Sequence, residues 1–150
     1  ENADAVITQP DGARVRAFVT ARDASSGVAF LQPATTTTDG KAAVWKSAAV
    51  APQNPMLGQT VIAFSGKNVS RIADGIVTAL IPRNSADAAR AGVIDTNISA
   101  DAIMSGSILA NTDGEVIGIR TGISRGISSG GFISSSALIK SAPIEKKSTQ

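Results

Sequence analysis

The chain of 150 residues contains no histidine and no cysteine. Without cysteine, disulfide bonds and thiolate metal sites are excluded. Without histidine, the chain lacks the usual general base at neutral pH and the commonest zinc ligand. Only carboxylates are left as metal ligands, and the sequence has no clustered acidic loop of the EF-hand kind. We therefore expect no bound metal.

Aromatic residues are also scarce, with four phenylalanines, one tryptophan and no tyrosine, so a core must be built mainly from Val, Ile, Leu and Ala. The 14 basic and 12 acidic residues are spread along the chain, and no basic patch is interleaved with aromatics, so nucleic-acid binding is not expected. No apolar run approaches the ~20 residues that a membrane span needs. The opening Glu1–Asp4 is polar and acidic, unlike a signal peptide.

Short apolar stretches alternate with turn signals along most of the chain. From Arg14 to Thr20, apolar and polar residues alternate with a period of two, which predicts a half-buried strand. Many short strands, with turns every ~8–12 residues, predict an all-β barrel or sandwich. Near the end, Ser135–Ser141 is expected to form a short helix with Ser134 or Ser135 as its N-cap.

The stretch Ile94–Gly118 (IDTNISADAIMSGSILANTDGEVIG) is the most informative part of the sequence. An isolated serine and glycine, Ser105-Gly106, precede an apolar strand, and Asp113-Gly114 separates that strand from the next. Asp-Gly between two apolar runs predicts a β-hairpin, with both turn residues at positive φ. The serine therefore lies at the mouth of a hairpin.

This stretch resembles the trypsin-like serine proteases, and within them the HtrA (DegP-like) branch. There a Gly-Asn-Ser-Gly-Gly loop is followed by an apolar strand, an Asp-Gly turn and a Glu-Val-Ile-Gly strand. The resemblance continues in Gly75–Leu80 (GIVTAL), in the order of strands and turns in Asn2–Leu31, and in Gly130–Ser134 (GGFIS). It implies a chymotrypsin-fold double β-barrel.

The same resemblance implies where a catalytic site would lie. Ser105 falls on the nucleophile and Gly106 on the glycine that follows it. The orienting aspartate of the family is replaced here by Gly27, the oxyanion-hole glycine by Ile103, and the histidine is absent. A β-branched residue in place of that glycine disfavours a formed oxyanion hole. Ser105 is therefore interpreted as a vestigial nucleophile.

The expected domain organisation follows the two barrels. Residues 1–32 are expected to form a partial first barrel, 33–41 a threonine-rich linker, 42–142 a complete second barrel with a short terminal helix, and 143–150 a polar tail. Because an incomplete barrel exposes strand edges, we expect a partner chain or self-association to complete it.

Two functions remain open at this point. The first is a catalytically inactive pseudoprotease domain that binds a protein or peptide or serves as a structural module. The alternative is a fragment or subunit of a serine endopeptidase, with Ser105 as nucleophile and the histidine supplied by another chain or a processed segment. No cofactor is expected, since the glycines near residue 130 lack the spacing and following lysine of a phosphate loop. The family resemblance implies a periplasmic, extracellular or cell-surface location.

The roles of four further side chains near the expected site are less certain from the sequence. Ile103 and Met104 either form an exposed apolar patch beside the old substrate cleft or fill that cleft. Arg120 and Arg125 flank a Ser/Gly-rich stretch expected to be a loop. Both are interpreted as solvated charges, although they could bind a carboxylate.

Overall fold

The computed structural model describes residues 4–66, 70–82 and 91–141. These residues divide into two compact units. The first comprises residues 4–24 and 28–47, and the second comprises Ser25–Gly27 and Ala48–Ser141. The expected polar tail at 143–150 lies outside the described residues, and the domain boundaries stay a prediction.

Strands are the main secondary structure of both units in this part of the chain. The strands are β1 (Asp4–Thr8), β2 (Arg14–Asp23), β3 (Val28–Thr37), β4 (Thr60–Ser65), β5 (Arg71–Pro82), β6 (Ala91–Thr96), β7 (Ile108–Ala110), β8 (Val116–Ile119) and β9 (Phe132–Ser134). The helices are α1 (Gly122–Ile127) and α2 (Ser135–Ser141), and a single 3-10 turn covers Ala100–Ala102.

The first unit is an antiparallel sheet in the order β1-β2-β3. The predicted alternation in β2 is present, since Val15 and Ala17 are fully buried while Arg14, Arg16 and Phe18 are exposed. Strand β3 continues through residues 33–37, which were expected to belong to a linker. Its threonines are β-branched and fit a pleated strand well, which explains the extension.

The second unit is a closed barrel in the order β4-β5-β6-β9-β8-β7, with every neighbouring pair antiparallel. Its core is aliphatic, apart from one phenylalanine, as the composition predicts. The buried members are Ala51, Val61, Ala63, Val77, Ile94, Ile98, Ile103, Leu109, Ile117 and Phe132. The prediction of an all-β protein with a complete second barrel and a short terminal helix is confirmed, and the residues expected to form a partial first barrel form a three-stranded sheet.

The predicted hairpin between β7 and β8 is present, but its turn differs from the expected one. Only Gly114 has a positive φ, of +81°, and Asp113 does not. Asn111 accounts for the difference, because its side-chain oxygen accepts hydrogen bonds from the backbone N–H groups of Asp113 and Glu115 at 3.1 and 2.8 Å. These bonds stabilise a three-residue loop that ends in a left-handed glycine, another common hairpin connection.

Both helices begin with side-chain caps. In α2, the backbone N–H of Ala137 donates to Ser134 Oγ at 3.3 Å, so Ser134 is the N-cap. In α1, Thr121 and Ser124 form a reciprocal capping box. Residues 123–129 were expected to be a Ser/Gly-rich loop, and the capping box explains why residues 122–127 are helical instead.

Candidate active site

Ser105 lies at the tip of a tight four-residue turn, Met104–Ser107. The backbone N–H of Ser107 donates to the Met104 carbonyl at 3.0 Å, and the Met104 N–H donates to Ser107 Oγ at 3.0 Å. Gly106 has a φ of +93°, as the third residue of a type II turn requires. The turn therefore satisfies its own polar groups, with the Ser105 side chain exposed at its tip.

Further hydrogen bonds attach this turn to the barrel. The buried Ser107 hydroxyl donates to Ser65 Oγ at 2.8 Å, at the end of β4. The N–H of Gly106 donates to the Arg120 carbonyl at 2.8 Å, and the Arg120 N–H donates to the Ser107 carbonyl at 2.8 Å. The third and fourth residues of the turn are thus fixed to β4 and to Arg120, which directly follows β8, and the geometry around Ser105 is preformed.

The structure separates Ile103 from Met104. Ile103 is only 6% exposed and belongs to the barrel core, with an extended backbone at φ −128° and ψ 145°. Met104 is 45% exposed and lines a surface cleft. One residue therefore fills the core and the other lines the cleft. The backbone at Ile103 is ordinary strand, and its side chain is packed in place.

Gly27, the position expected to replace the family's aspartate, has a left-handed backbone with a φ of +72°. A Cβ added there would lie 3.2 Å from Ile123 Cγ1 and 3.6 Å from Thr121 Cβ. A side chain at this position would therefore be strained by the backbone and crowded by its neighbours. Since Thr121 follows Arg120, which bonds to Gly106, both sequence-predicted positions lie beside the dipeptide Arg120-Thr121.

Arg120 is the residue of this region whose role the sequence did not reveal. It is 2% exposed, so the prediction of a solvated charge is wrong for this arginine, whereas Arg125 is exposed. Its Nη1 and Nη2 atoms donate to the carbonyls of Gly131 and Ser129 at 3.0 and 2.9 Å. Its guanidinium carbon lies 5.9 Å from the centre of the Phe132 ring. Its position directly after the apolar strand Val116–Ile119 was the only sequence signal of burial.

Arg120 and Arg125 give this region a positive charge. Burial, and secondarily the charge of Arg125, lower the pKa of Arg120 from its ordinary value. An arginine stays protonated throughout the accessible pH range even so. Among the described residues no carboxylate forms an ion pair with either arginine, and the ion pair that is present joins Asp39 to Lys41 in the first unit.

A cleft of about 520 Å³ opens beside the Ser105 turn. Phe64 and Ile72, which face each other across the β4–β5 hairpin, and Met104 supply its apolar surface. Arg71 is the one charged residue among the described residues that line it. The remaining lining residues are Ser65, Gly66, Ser70, Ser105, Gly106 and Ser107.

Residues 4–66, 70–82 and 91–141 also bear on metal binding and on membrane insertion. Within these ranges, no three acidic side chains come together in a way that could hold a metal ion. No helix found there is long and apolar enough to cross a membrane.

Residues 1–119 match the family model of the trypsin-like peptidase domain. Because the match covers most of the chain, the protein belongs to this family. The closed barrel and the accompanying antiparallel sheet agree with that assignment, so the predicted trypsin-like fold is confirmed.

Two solved structures of similar fold are a Deg5 crystal structure and the apo MamO protease domain of Magnetospirillum magneticum. Deg5 is 15% identical with a TM-score of 0.62, and the match covers 90% of this chain and 63% of the Deg5 chain. MamO is 18% identical with a TM-score of 0.60, covering 93% of this chain and 75% of that one. The chain thus spans less than two thirds of Deg5, and the likeness shows a Deg-type fold. No curated protein matches the sequence.

Proposed function

We propose that this domain is a catalytically inactive, HtrA-like member of the trypsin-like family that binds a protein or peptide. The observation that carries the proposal is the self-closed turn at Ser105, directly after a core-packed Ile103, in a chain without histidine. Each of these features opposes one step of serine-protease chemistry.

The first opposed step is activation of the nucleophile. A serine hydroxyl attacks a carbonyl only when a positioned base removes its proton and a third group orients that base. No described residue forms a hydrogen bond with Ser105 Oγ, and the position of the orienting aspartate is the left-handed Gly27. Loss of triad members lowers catalytic rates by roughly four to six orders of magnitude.

The second opposed step is stabilisation of the oxyanion. That step needs backbone N–H groups aimed at the developing charge. In the family these are the N–H groups of the nucleophile and of the residue two before it, here Ser105 and Ile103, and Ile103 has an ordinary extended backbone in place of a glycine conformation. The Ile103 side chain packs in the barrel core, which holds this backbone in its extended conformation. Catalysis and core packing therefore oppose each other at this residue.

The alternative, a serine endopeptidase whose histidine comes from another chain or a processed segment, has less support. A supplied histidine would still find no orienting carboxylate at position 27, where the added Cβ alone would be crowded. Ser105, Gly106, Gly27 and Ile103 are thus proposed as vestiges of a catalytic site.

For the first unit we propose that a partner chain or a second copy adds a strand. Strand β1 pairs only with β2 among the described residues, so its other edge is open to pairing. Size-exclusion chromatography with light scattering, combined with amide hydrogen exchange, tests this. A monodisperse monomer with fully protected amides in residues 4–31 would contradict it.

Location and catalysis have separate tests. The periplasmic, extracellular or cell-surface location implied by the HtrA resemblance stays a prediction, which fractionation of the native host checks. For catalysis, we expect hydrolysis of casein and of a fluorogenic peptide library at the same background rate for the wild type and Ser105→Ala. Turnover by the wild type that is absent from Ser105→Ala would overturn the proposed inactivity.

A further inference from the structure

We propose that the cleft beside the Ser105 turn binds an extended peptide segment that carries a large apolar side chain next to an acidic one. The inference deepens the proposed function, on whose peptide-binding part it rests. Its support is the chemistry of the cleft lining: three exposed apolar side chains, a fixed polar floor and one unpaired cation.

The apolar surface is unusually exposed for side chains of this size. Ile72 is 71% exposed, and Phe64 and Met104 are each nearly half exposed, yet all three line the same cavity. Phe64 and Ile72 are direct cross-strand partners, so their side chains lie next to each other on one face of the hairpin. A clustered apolar surface in a cleft marks a binding site more often than scattered apolar residues do.

The floor of the cleft is fixed. Ser107 Oγ accepts the Met104 N–H and donates to Ser65 Oγ, so these two hydroxyls of the lining already have partners within the protein. A preformed surface binds a ligand without the entropic cost of ordering it. Because these hydroxyls are engaged, discrimination between ligands falls to the side chains around the rim.

Arg71 determines which charge on a bound peptide is favoured. It begins β5 opposite Ser65, lines the cleft, and forms no ion pair with any described carboxylate. No acidic residue is among the described lining residues. A carboxylate on the ligand would therefore meet an arginine without competition, with geometry suited to two parallel hydrogen bonds.

The barrel also constrains how the peptide is held. Each of the strands β4 to β9 has a neighbour on both sides, but β5 pairs with β6 only from Val77 onward, so within the described part of the chain Arg71 and Ile72 pair with β4 alone. We assign selection of the apolar residue and the adjacent Asp or Glu of the peptide to the side chains that line the cleft. A cleft of about 520 Å³ has room for a few side chains, within the usual range of ligand pockets.

The test is an array of Gly/Ser-flanked hexapeptides in which two adjacent central positions take every amino acid. Hits are then measured in solution by fluorescence anisotropy. We expect enrichment of Leu, Ile, Met or Phe beside Asp or Glu. Replacing the acidic residue by its amide should weaken binding about three- to tenfold, and replacing the apolar residue by Ala should weaken it roughly tenfold or more.

Two exposed substitutions assign the binding to this cleft. Arg71→Glu should invert the charge preference, favouring Lys over Glu in the peptide, and Ile72→Ala should weaken binding severalfold. Arg125→Glu and Ile127→Ala, at exposed positions of α1, are matched controls that should leave binding unchanged. Thermal unfolding confirms that each variant is folded.

The outcomes separate the two proposals. Peptide binding that ignores Arg71→Glu and Ile72→Ala, or that shows no acidic preference, would overturn the cleft assignment and leave the peptide-binding function standing. Absence of binding by any array peptide up to about 1 mM, equivalent to roughly −4 kcal/mol, would overturn both.

Discussion

The closed barrel and the three-stranded sheet are built from the same kind of antiparallel pairing, yet they bury very different numbers of side chains. In the barrel, every strand contributes to a continuous aliphatic core around Phe132 and Leu109. In the sheet, the fully buried apolar residues are Val15 and Ala17, while Phe18 and Leu31 remain exposed. The difference shows that closure of a sheet into a barrel, more than strand length, determines where this chain buries its apolar side chains.

The comparison also explains the placement of the candidate site. The Ser105 turn is hydrogen-bonded to β4 and to the end of β8, both of which are barrel elements. A turn fixed on a closed barrel cannot easily rearrange, whereas an open sheet edge can accept a new strand. We therefore assign peptide recognition by side chains to the barrel and strand addition to the sheet.

The largest expected effect distinguishes the two units directly. Phe132→Ala, in the barrel core, should lower the free energy of unfolding by about 3–5 kcal/mol. Phe18→Ala, the matched change on the exposed face of β2, should cost about 1 kcal/mol or less. Urea unfolding followed by circular dichroism measures both values. Equal losses of unfolding free energy would contradict the comparison, because they would mean that Phe18 is packed as tightly in the sheet as Phe132 is in the barrel.

A second pair of variants tests how tightly the barrel packs around Gly130, just before β9. A Cβ on Gly130 would lie 2.1 Å from the Thr96 carbonyl oxygen, so Gly130→Ala should destabilise the protein by about 3 kcal/mol. Gly126, inside α1, has nothing within 4 Å of its added Cβ, and Gly126→Ala should stabilise by about 0.5–1 kcal/mol. Thermal unfolding that shifts the same way for both would contradict this packing.

A third pair of variants compares the buried Arg120 with the exposed Arg125. Arg120→Ala removes two hydrogen bonds to carbonyls and the contact with Phe132, so we expect a loss of about 2–3 kcal/mol. Arg125→Ala, which removes an exposed cation next to it, should change stability by less than about 0.5 kcal/mol. Denaturant titration measures both losses. An unchanged free energy of unfolding in Arg120→Ala would show that the buried arginine does not stabilise the fold.

The smallest effect concerns Asp39 in the sheet unit. The Thr37 hydroxyl, and then Lys41, hold the pKa of Asp39 below its ordinary value. Because the folded-state pKa is lowered, the contribution is present above the ordinary carboxyl pKa and is lost as the pH falls through the folded value. Unfolding midpoints between about pH 5 and pH 2 should therefore fall less for Asp39→Asn than for the wild type. Identical pH profiles would contradict the pairing.

Much of the fold could be predicted from the sequence because its strands are short and their turns carry clear signals. The alternation in β2 and the Asp113-Gly114 hairpin both follow from local residue preferences. Helix α1 could not be predicted, since Gly122 and Gly126 disfavour a helix and only the Thr121–Ser124 capping box opposes them.

Less of the candidate site than of the fold follows from the sequence. The family pattern placed Ser105 and Gly27, which the fold brings close to the same dipeptide. Which of Ile103 and Met104 faces the core depends on how the chain enters the turn, and sequence spacing does not show that. The burial of Arg120 depends on carbonyls that residues 129–131 supply from a distant segment of the chain.

The central claim is that Ser105 is not an activated nucleophile, and labelling with a fluorophosphonate probe tests it most directly. The wild type, Ser105→Ala and an active trypsin-like protease would be treated together and their adducts detected by mass spectrometry. The account predicts an adduct on the active protease alone. An adduct on the wild type that is missing from Ser105→Ala would contradict it and would mean that a functional catalytic site assembles around this serine.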